Sequence, residues 1–172
     1  MTPSFRWLIP VDLIVLLLAI SSLGFGLPPT VPDQTTTPGC VPGVQTSREH
    51  FLYIMQTIAD GWNTGNARLA ASCFAQDAIY SAPPSSGRRG RNSLYEYFGG
   101  ARGRALPMHM TWHNLLFDRK QGIGVGEYTF RYRVQTHGLV IVKISNGLIR
   151  NWREYETQSN LDWTDFIGDN RF

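Results

Sequence analysis

The alternation of hydrophobic and polar positions is clearest in the last third of the chain. Three β-rich runs lie there, at residues 127–135, 138–145 and 148–157, with short breaks between them. The last two runs are joined by Asn146-Gly147, a dipeptide that tolerates the positive φ angles of a type I′ turn and strongly indicates a hairpin. The pattern therefore predicts an antiparallel meander.

In the first of these runs, large aromatic residues alternate with polar residues. The aromatic face carries Tyr128, Phe130 and Tyr132, and the polar face carries Glu127, Thr129, Arg131 and Arg133. A sheet with one apolar face needs amphipathic elements to cover that face. We therefore expect helices to pack against the aromatic side.

The covering helix is predicted at the start of the folded region. Ser47 suits a helix N-cap, and Glu49 would lie in the first turn. Apolar residues then recur at the helical period, at Phe51, Ile54, Met55, Ile58 and Trp62. The turn-forming residues 63–66 are expected to end this helix.

Shorter elements follow the first helix. We expect a second helix over residues 67–75, a strand over 77–82, a loop over 85–91 and a third helix over 92–98. The pattern at residues 108–118 predicts a further strand. One face of this strand would carry His109, Thr111, His113, Leu115 and Phe117, and the other face Met110, Trp112, Asn114 and Leu116. The predicted order is helix, helix, strand, helix and four strands, which is an α+β arrangement.

The N-terminal residues predict an export segment. Residues 13–27 form an uncharged, mostly apolar run that is short for a membrane span and typical of a signal peptide. Extension back to Leu8 reaches spanning length but includes Pro10 and Asp12, so a retained anchor and a misplaced start stay open. The chain then divides into a signal peptide or N-terminal membrane anchor at 1–27, a Pro/Thr/Gly-rich linker at 28–46 and a folded domain at 47–172. The domain is accordingly expected to be exported, either secreted, periplasmic or anchored.

Composition and charge narrow the classes of partner. The chain has 172 residues, of which 42% are hydrophobic and 17% charged, as expected for one globular domain with an added leader. Much of the net charge of +3 comes from five arginines near the third predicted helix, Arg88, Arg89, Arg91, Arg102 and Arg104. Such a cluster can meet an anionic partner, although a solvated loop is the simpler interpretation. Because the leader indicates export and no nucleic-acid motif is present, no nucleic-acid partner is expected.

The two cysteines allow two interpretations. Cys73 falls within a helical pattern and is most simply a small buried hydrophobe. In an oxidising compartment, a disulfide between Cys40 and Cys73 would join the linker to the domain. The sequence alone does not give the distance between the two cysteines, so both interpretations stay open.

Several local motifs point to a known family. They are GWNTGN at 61–66, FAQDAIY at 74–80 before Pro83, Gly90-Arg91, and ISNGLI at 144–149 with Trp152 and Tyr155. Together they resemble the nuclear transport factor 2-like (NTF2-like) superfamily, in particular its SnoaL-like branch, over residues 47–172. The resemblance implies a cystatin-like cone, in which a curved antiparallel sheet wraps around a long N-terminal helix with two shorter helices. It also implies an apolar pocket at the open end, often in a homodimer, but it does not choose among the isomerases, dehydratases, hydrolases, cyclases and binding modules of the superfamily.

The resemblance argues against the arrangement of catalytic residues found in ketosteroid isomerases. The positions that correspond to the base, the tyrosine and the buried acid of ketosteroid isomerases carry Ala82, Ile58 and Val140. Scytalone dehydratase, a looser resemblance, has a histidine near the position of His109. A base or acid must project into the pocket, so titratable residues on the predicted strands are the candidates.

Three residues are the catalytic candidates: His109, His113 and Glu127. The two histidines share one strand face if the alternation holds, and histidine suits proton transfer near neutrality. For the two histidines, hydrogen bonding within the sheet is the simpler role. For Glu127, the simpler interpretation is an ion pair or exposure to solvent. The ligand-binding candidates are Trp62, Tyr80, Tyr132, Arg153 and Tyr155. No metal site and no cofactor are expected, because no third ligand stands at a telling spacing from the histidines.

The functional expectation follows from these candidates. The chain is predicted to bind a small apolar or polycyclic molecule in the cone pocket, with lyase or isomerase activity, as a homodimer. Contact with a membrane is expected only through the N-terminal segment. An exported, non-catalytic NTF2-like interaction or dimerisation module is the alternative, and a non-catalytic ligand carrier is a third possibility.

Overall fold

The computed structural model describes residues 39–84, 86–101 and 108–172. Residues 1–38, which include the predicted leader, and the arginines at 102 and 104 lie outside the described residues. The described elements are α1 (Arg48–Asn63), α2 (Ala67–Ser72), β1 (Phe74–Ala82), β2 (Ser86–Arg89), α3 (Arg91–Tyr97), β3 (His109–Asp118), β4 (Ile123–Tyr132), β5 (Val134–Ser145), β6 (Leu148–Gln158) and α4 (Trp163–Ile167).

The six strands form one curved sheet with the order β2-β1-β6-β5-β4-β3. Strands β3 to β6 form the predicted antiparallel meander, and the α+β, NTF2-like (cystatin-like) fold is confirmed. One pairing differs from the expectation, because β1 runs parallel to β6. These two strands are separated by the whole meander, so no tight turn obliges them to be antiparallel.

The hairpin turn between β5 and β6 has the predicted geometry. Asn146 and Gly147 have φ angles of 53° and 75°, respectively. Both values lie in the left-handed region that a type I′ turn requires at its two central positions. The register of the last two strands is thus set by local sequence.

Helix α1 packs on one face of the sheet, which we call the inner face. Ser47 caps the helix by accepting a hydrogen bond from the His50 backbone N–H at 3.1 Å. The predicted apolar stripe from Phe51 to Trp62 is buried. Gly124 of β4 lies under the Phe51 ring, where any side chain would overlap it. The close approach of helix and sheet therefore depends on a glycine at this position.

The last residue of α1 is tied to the edge strand β3. Asn63 donates from its side-chain amide to the Met110 carbonyl at 3.0 Å and accepts from the Met110 N–H at 2.6 Å. These bonds occupy backbone groups that an edge strand leaves unpaired on that side. They also hold the preceding residue, Trp62, in a defined place.

Strand β3 contains a bulge that the alternation did not predict. Trp112 pairs with Tyr128 and Asn114 pairs with Glu127, so His113 is an extra residue without a partner. A bulge of this kind reverses the faces of all the residues that follow it. Leu115 and Phe117 accordingly pack on the core, together with Met110 and Trp112, whereas Leu116 is exposed.

Several element boundaries also differ from the prediction. Strand β4 ends at Tyr132 and β5 begins at Val134, whereas the break was expected at residues 136–137. Residues 86–89, expected within a loop, form β2 and pair with the end of β1. Helix α2 ends at Ser72, and β1 begins at Phe74, which pairs with Ile149. The Cys73 carbonyl accepts a hydrogen bond from the Ile149 N–H at 2.9 Å. Long-range strand pairing therefore overrides the local helical pattern.

Cys40 and Cys73 form a disulfide, which is the second of the two interpretations considered above. The segment before α1 is further held by the Cys40 N–H, which donates to Ser72 Oγ at 3.1 Å, and by the Gly43 N–H, which donates to the Asn146 carbonyl at 3.1 Å. Residues 39–46, assigned above to the linker, thus contact the domain.

Helix α4 lies on the outer face of the sheet, opposite α1. Its Trp163 ring stacks on His113 with a centroid distance of 4.1 Å, and Phe166 packs on His137 at 4.3 Å. None of the helices in the described part of the chain is long and apolar enough to cross a membrane.

Candidate functional site

A cavity of about 160 Å³ lies between the end of α1, helix α3 and the inner face of the sheet. Most of its wall is aromatic or sulfur-containing, and two carboxylates contribute to it. The described lining residues are Trp62, Tyr80, Tyr97, Phe98, Met108, Met110, Tyr128, Phe130, Tyr132, Val134, Thr136, Glu154 and Glu156. The composition suits a small, largely apolar ligand with a few polar contacts.

Glu154 is the buried carboxylate of the cavity and is only 7% exposed. Its Oε1 accepts a hydrogen bond from the Tyr80 hydroxyl, and its Oε2 accepts one from Trp152 Nε1 at 2.8 Å. The two donors fix the direction in which the carboxylate points.

Tyr80 reaches Glu154 from β1, packed against the ring of Trp152. The two rings are parallel within 9° at a centroid distance of 5.6 Å. Burial, and then the Glu154 charge, raises the pKa of the Tyr80 hydroxyl well above its ordinary value. The hydroxyl is therefore a permanent donor to the carboxylate.

Tyr128 extends across β5 toward β6. It pairs with Gly138, and a side chain at position 138 would overlap the Tyr128 ring and hydroxyl. The Tyr128 hydroxyl is buried beside the Glu154 carboxylate. Burial, and then the charges of Glu154 and Glu156, raises its pKa, and a side-chain hydrogen bond with Glu154 acts in the same direction. The hydroxyl consequently keeps its proton.

Trp62 closes the cavity at the end of α1. Its ring meets Phe98 and Phe130 edge to face, at centroid distances of 5.1 and 5.7 Å. These contacts fix the indole plane. Its Nε1–H is buried and lacks a hydrogen-bond partner in the described part of the chain.

The structure divides the predicted ligand-binding residues into two groups. Trp62, Tyr80 and Tyr132 line the cavity. Arg153 and Tyr155 do not, because they alternate with Trp152, Glu154 and Glu156 along β6 and lie on the outer face. For these two residues, the expectation of a place in the pocket is corrected by the alternation of the strand.

The three catalytic candidates also lie outside the cavity. His109 is exposed, and Glu127 and His113 lie on the outer face, where Glu127 accepts a hydrogen bond from the Asn114 amide at 2.6 Å. The two histidines do share a face, as expected, but it is the face away from the pocket. This corrects the expectation that these three residues project into the pocket, and the reason is that their strand positions alternate with Met110 and Tyr128, which face inward.

With this geometry in view, sequence comparison decides the family. Residues 55–152 match the SnoaL-like domain. The chain belongs to the SnoaL-like domain family. No curated protein matches the chain significantly.

Solved structures share the fold of this SnoaL-like chain at low sequence identity. A protein of unknown function with a cystatin-like fold from Methylobium petroleophilum PM1 has a TM-score of 0.59 at 18% identity, covering 75% of this chain and 99% of its own. An epoxide hydrolase from M. tuberculosis, described as LEH-like, has a TM-score of 0.55 at 16% identity, and the match covers 63% of this chain and 84% of that protein. A putative ketosteroid isomerase from Kribbella flavida DSM 17836 has a TM-score of 0.54 at 15% identity, and the match covers 72% of this chain and 91% of that protein. At these identities, the likeness establishes the fold alone.

Sequence reasoning did not select Glu154, Tyr128 or Trp152 as site residues of the SnoaL-like domain. One signal was present, since Glu154 follows the apolar Trp152 by two positions and so shares its strand face. The decisive contact, between Glu154 and Tyr80, spans 74 positions of the chain. No local pattern reports a contact of that separation.

A second polar cluster of the SnoaL-like domain lies beneath α4. Thr129 Oγ1 is 2.7 Å from His113 Nε2 and 2.9 Å from His137 Nδ1. His137 Nε2 lies 3.0 Å from the Leu161 carbonyl, which can only accept, so His137 donates there and its Nδ1 accepts from Thr129. His113 must then donate to Thr129. Burial, and then His137, lowers the pKa of His113, with Glu127 opposing the shift.

No group of three or more His, Cys, Asp or Glu residues that could hold a metal ion occurs within the described ranges. A buried carboxylate fixed by two donors can accept a proton. This combination suits proton transfer on a small, mostly apolar ligand.

Proposed function

We propose that the chain is a small-molecule isomerase or lyase in which Glu154 acts as the base inside the cavity. The observation that carries the proposal is the buried Glu154 carboxylate, held by Tyr80 and Trp152 at the wall of an aromatic cavity. Membership of the SnoaL-like family supports a small-molecule role. So do the epoxide hydrolase and ketosteroid isomerase activities that the names of two structural neighbours state.

The base would remove a proton from a carbon next to a carbonyl group. The proton passes to the Glu154 carboxylate, and the electron pair of the broken C–H bond moves toward the carbonyl oxygen. Return of the proton to another carbon gives an isomer, whereas loss of a leaving group gives a lyase product.

The cavity volume restricts the ligand. A cavity of roughly 150 Å³ holds one benzene molecule, and the present cavity measures about 160 Å³. The ligand is accordingly about the size of one ring with a small substituent.

Deuterium exchange into acetophenone tests the role of Glu154. In D₂O the protein should catalyse exchange of the methyl protons, followed by NMR, and Glu154→Gln should lower the rate by about 100-fold or more, as expected for loss of a general base. The matched control is Glu127→Gln, a carboxylate on the outer face, which should exchange at the wild-type rate. His109→Gln should do the same.

Two results would contradict the assignment. Exchange by Glu154→Gln at the wild-type rate would show that another group removes the proton. Bound acetophenone without any exchange above the buffer rate would show that the cavity binds but does not act as a base. The second result would favour a ligand carrier.

We also propose a homodimer, in line with the alternative of a dimerisation module. The supporting observation is that apolar side chains on the outer face remain exposed, including Leu139 at 36% and Tyr155 at 47%. Light scattering coupled to size exclusion would give the mass. Leu139→Arg should convert a dimer to a monomer, whereas Val41→Arg, an exposed position away from this face, should not. A monomeric wild type would exclude the proposal.

We further propose that the domain is exported, with membrane contact only through the N-terminal segment. The disulfide between Cys40 and Cys73 supports this location, since disulfides persist mainly in oxidising compartments. Fractionation of cells that express the full chain with a C-terminal tag should place it outside the cytoplasm, with both cysteines resistant to maleimide. A cytoplasmic chain labelled at both cysteines would refute the location.

A further inference from the structure

The charged groups that line the cavity are negative. The described lining residues include two carboxylates, Glu154 and Glu156, and no lysine, arginine or histidine. The chain as a whole carries a net charge of +3, so this excess of negative charge is local. Opposite charges attract more strongly where apolar groups replace water. The lining therefore favours a ligand with a positive charge.

The two carboxylates lead from the interior of the cavity to its opening. Glu154 and Glu156 are two positions apart on β6, so they share a face of the strand, and their Cβ atoms are roughly 7 Å apart. Glu154 is buried and Glu156 is exposed. Thr136 Oγ1 donates to Glu156 Oε2 at 3.0 Å, which holds the outer carboxylate in place. Both charges help to raise the pKa of the Tyr128 hydroxyl, so both carboxylates lie near that group.

Aromatic rings surround the same opening. Tyr97, Phe130 and Tyr132 line the cavity and are half-buried. The face of an aromatic ring attracts a cation, and proteins bind quaternary ammonium groups within sets of such rings. A quaternary ammonium presents only C–H groups to its surroundings, so it packs on an aromatic wall as an apolar group does. The wall and the carboxylates thus suit the same kind of ligand.

Two arginines provide the opposing charge. Arg88 Cζ lies 4.9 Å from the centroid of the Tyr97 ring, and Arg133 Cζ lies 5.4 Å from that of Tyr132. Neither arginine is among the described residues that line the cavity, whereas Glu156 is. An anionic ligand, attracted by the arginines, is the rival expectation and enters the test below.

We propose that the opening of the cavity binds a quaternary ammonium group, with Glu156 as the counter-charge and the rings of Tyr97, Phe130 and Tyr132 around the methyl groups. This assignment rests on the proposed function for the location of the ligand, and it adds a positive charge to the class of ligand. The remainder of such a ligand extends toward Glu154, which lies deeper on the same face of β6.

The test compares choline with 3,3-dimethyl-1-butanol, in which a carbon atom replaces the nitrogen in the same shape. Titration calorimetry with the full-length wild-type protein should give at least about tenfold tighter binding of choline, as expected for a cation in a partly desolvated aromatic site. The third probe is 3,3-dimethylbutanoate, an anion with the same branched end. It should bind more weakly than the neutral alcohol, because the carboxylates of the lining repel it.

Two variants assign the preference to the proposed residues. Glu156→Gln should reduce the ratio of the choline and alcohol affinities by about three- to fivefold, because the counter-charge is lost while the shape is kept. Tyr132→Leu should reduce the ratio by about threefold through loss of an aromatic face. Glu127→Gln, on the outer face, is the matched control and should keep the wild-type ratio. Circular dichroism of each variant verifies that it is folded.

Salt provides a second readout of the charge at the opening. Raising the ionic strength to about 0.5 M should weaken the binding of choline to the wild type, because an exposed carboxylate is screened. The same change should weaken binding to Glu156→Gln less. The affinity for the neutral alcohol should not fall in either protein.

Four results would overturn the proposal: equal affinity of the wild type for choline and the alcohol, no binding of choline, tighter binding of the anion than of choline, or a preference for choline that neither variant reduces. The third result would assign the opening to the arginines.

The proposal and the role of Glu154 as a base fail separately. A preference for choline that depends on Glu156, without deuterium exchange into acetophenone, would support the cation site and contradict the base. Exchange that depends on Glu154, with equal affinity for choline and the alcohol, would support the base and overturn the cation site.

Discussion

Removal of the disulfide is a stability test whose magnitude follows from the structure. Cys40 and Cys73 are 33 positions apart. In the chain-entropy description, opening a loop of that length returns about 3.7 kcal/mol of conformational freedom to the unfolded state at 25 °C. A domain of ordinary stability has only about 5–15 kcal/mol in total. The bond is thus expected to supply a large share of the stability.

Cys40→Ser is the variant of choice, because Cys40 is half-buried whereas Cys73 is fully buried and a hydroxyl there would add a separate cost. Urea unfolding followed by circular dichroism should show a loss of about 3–4 kcal/mol. At about 3–4 °C per kcal/mol for a domain of this size, Tm should fall by roughly 10–15 °C.

Reduction of the wild type provides the control for this prediction. Dithiothreitol should lower the wild-type stability by a similar amount and should leave Cys40→Ser unchanged. Thiol titration of the denatured wild type should find no free thiol, against one in the variant. A wild type that is insensitive to the reductant, or a variant within about 1 kcal/mol of it, would refute the argument that this loop closure stabilises the domain.

Three further predictions concern the packing that supports the site. Gly138→Ala should cost about 1–3 kcal/mol in urea unfolding, because the added methyl overlaps Tyr128; an unchanged midpoint would contradict this packing. Asn63→Ala should cost about 1–3 kcal/mol, since both Met110 backbone groups lose their partner, and hydrogen exchange at Met110 should accelerate. His113 has a lowered pKa in the folded state, so its contribution to stability should be complete above the ordinary value of 6.5 and should be lost as the pH falls through the lowered pKa. In urea unfolding from pH 7 to pH 5, His113→Gln should lose less stability with falling pH than the wild type. An equal loss in both proteins would argue against this role of His113.

The arrangement separates two regions of the domain. The inner face holds the cavity with its buried carboxylate, whereas the outer face holds the histidine cluster under α4. A change on the outer face is expected to alter stability or association without changing the chemistry of the cavity. The control variants at Glu127 and His109 use this separation.

Much of the fold is readable from local sequence. The period of a helix showed which residues of α1 face the sheet, from Phe51 to Trp62, and Asn146-Gly147 predicted both the turn and its geometry. These features depend on neighbours within a few positions, because side-chain direction repeats every two residues in a strand and about every 3.6 in a helix. The aromatic face of β4 was predicted for the same reason.

The candidate site was decided by the tertiary structure. Helix α1 covers the sheet face opposite His109 and Glu127, so these two residues lie outside the cavity. The bulge at His113 reverses the faces of the residues after it. The carboxylate of Glu154 became a site only because β1 pairs in parallel with β6 and brings Tyr80 beside it. Contacts between such distant residues arise from packing of the whole sheet. Local periodicity reports the faces of an element but not the partner that each face will meet.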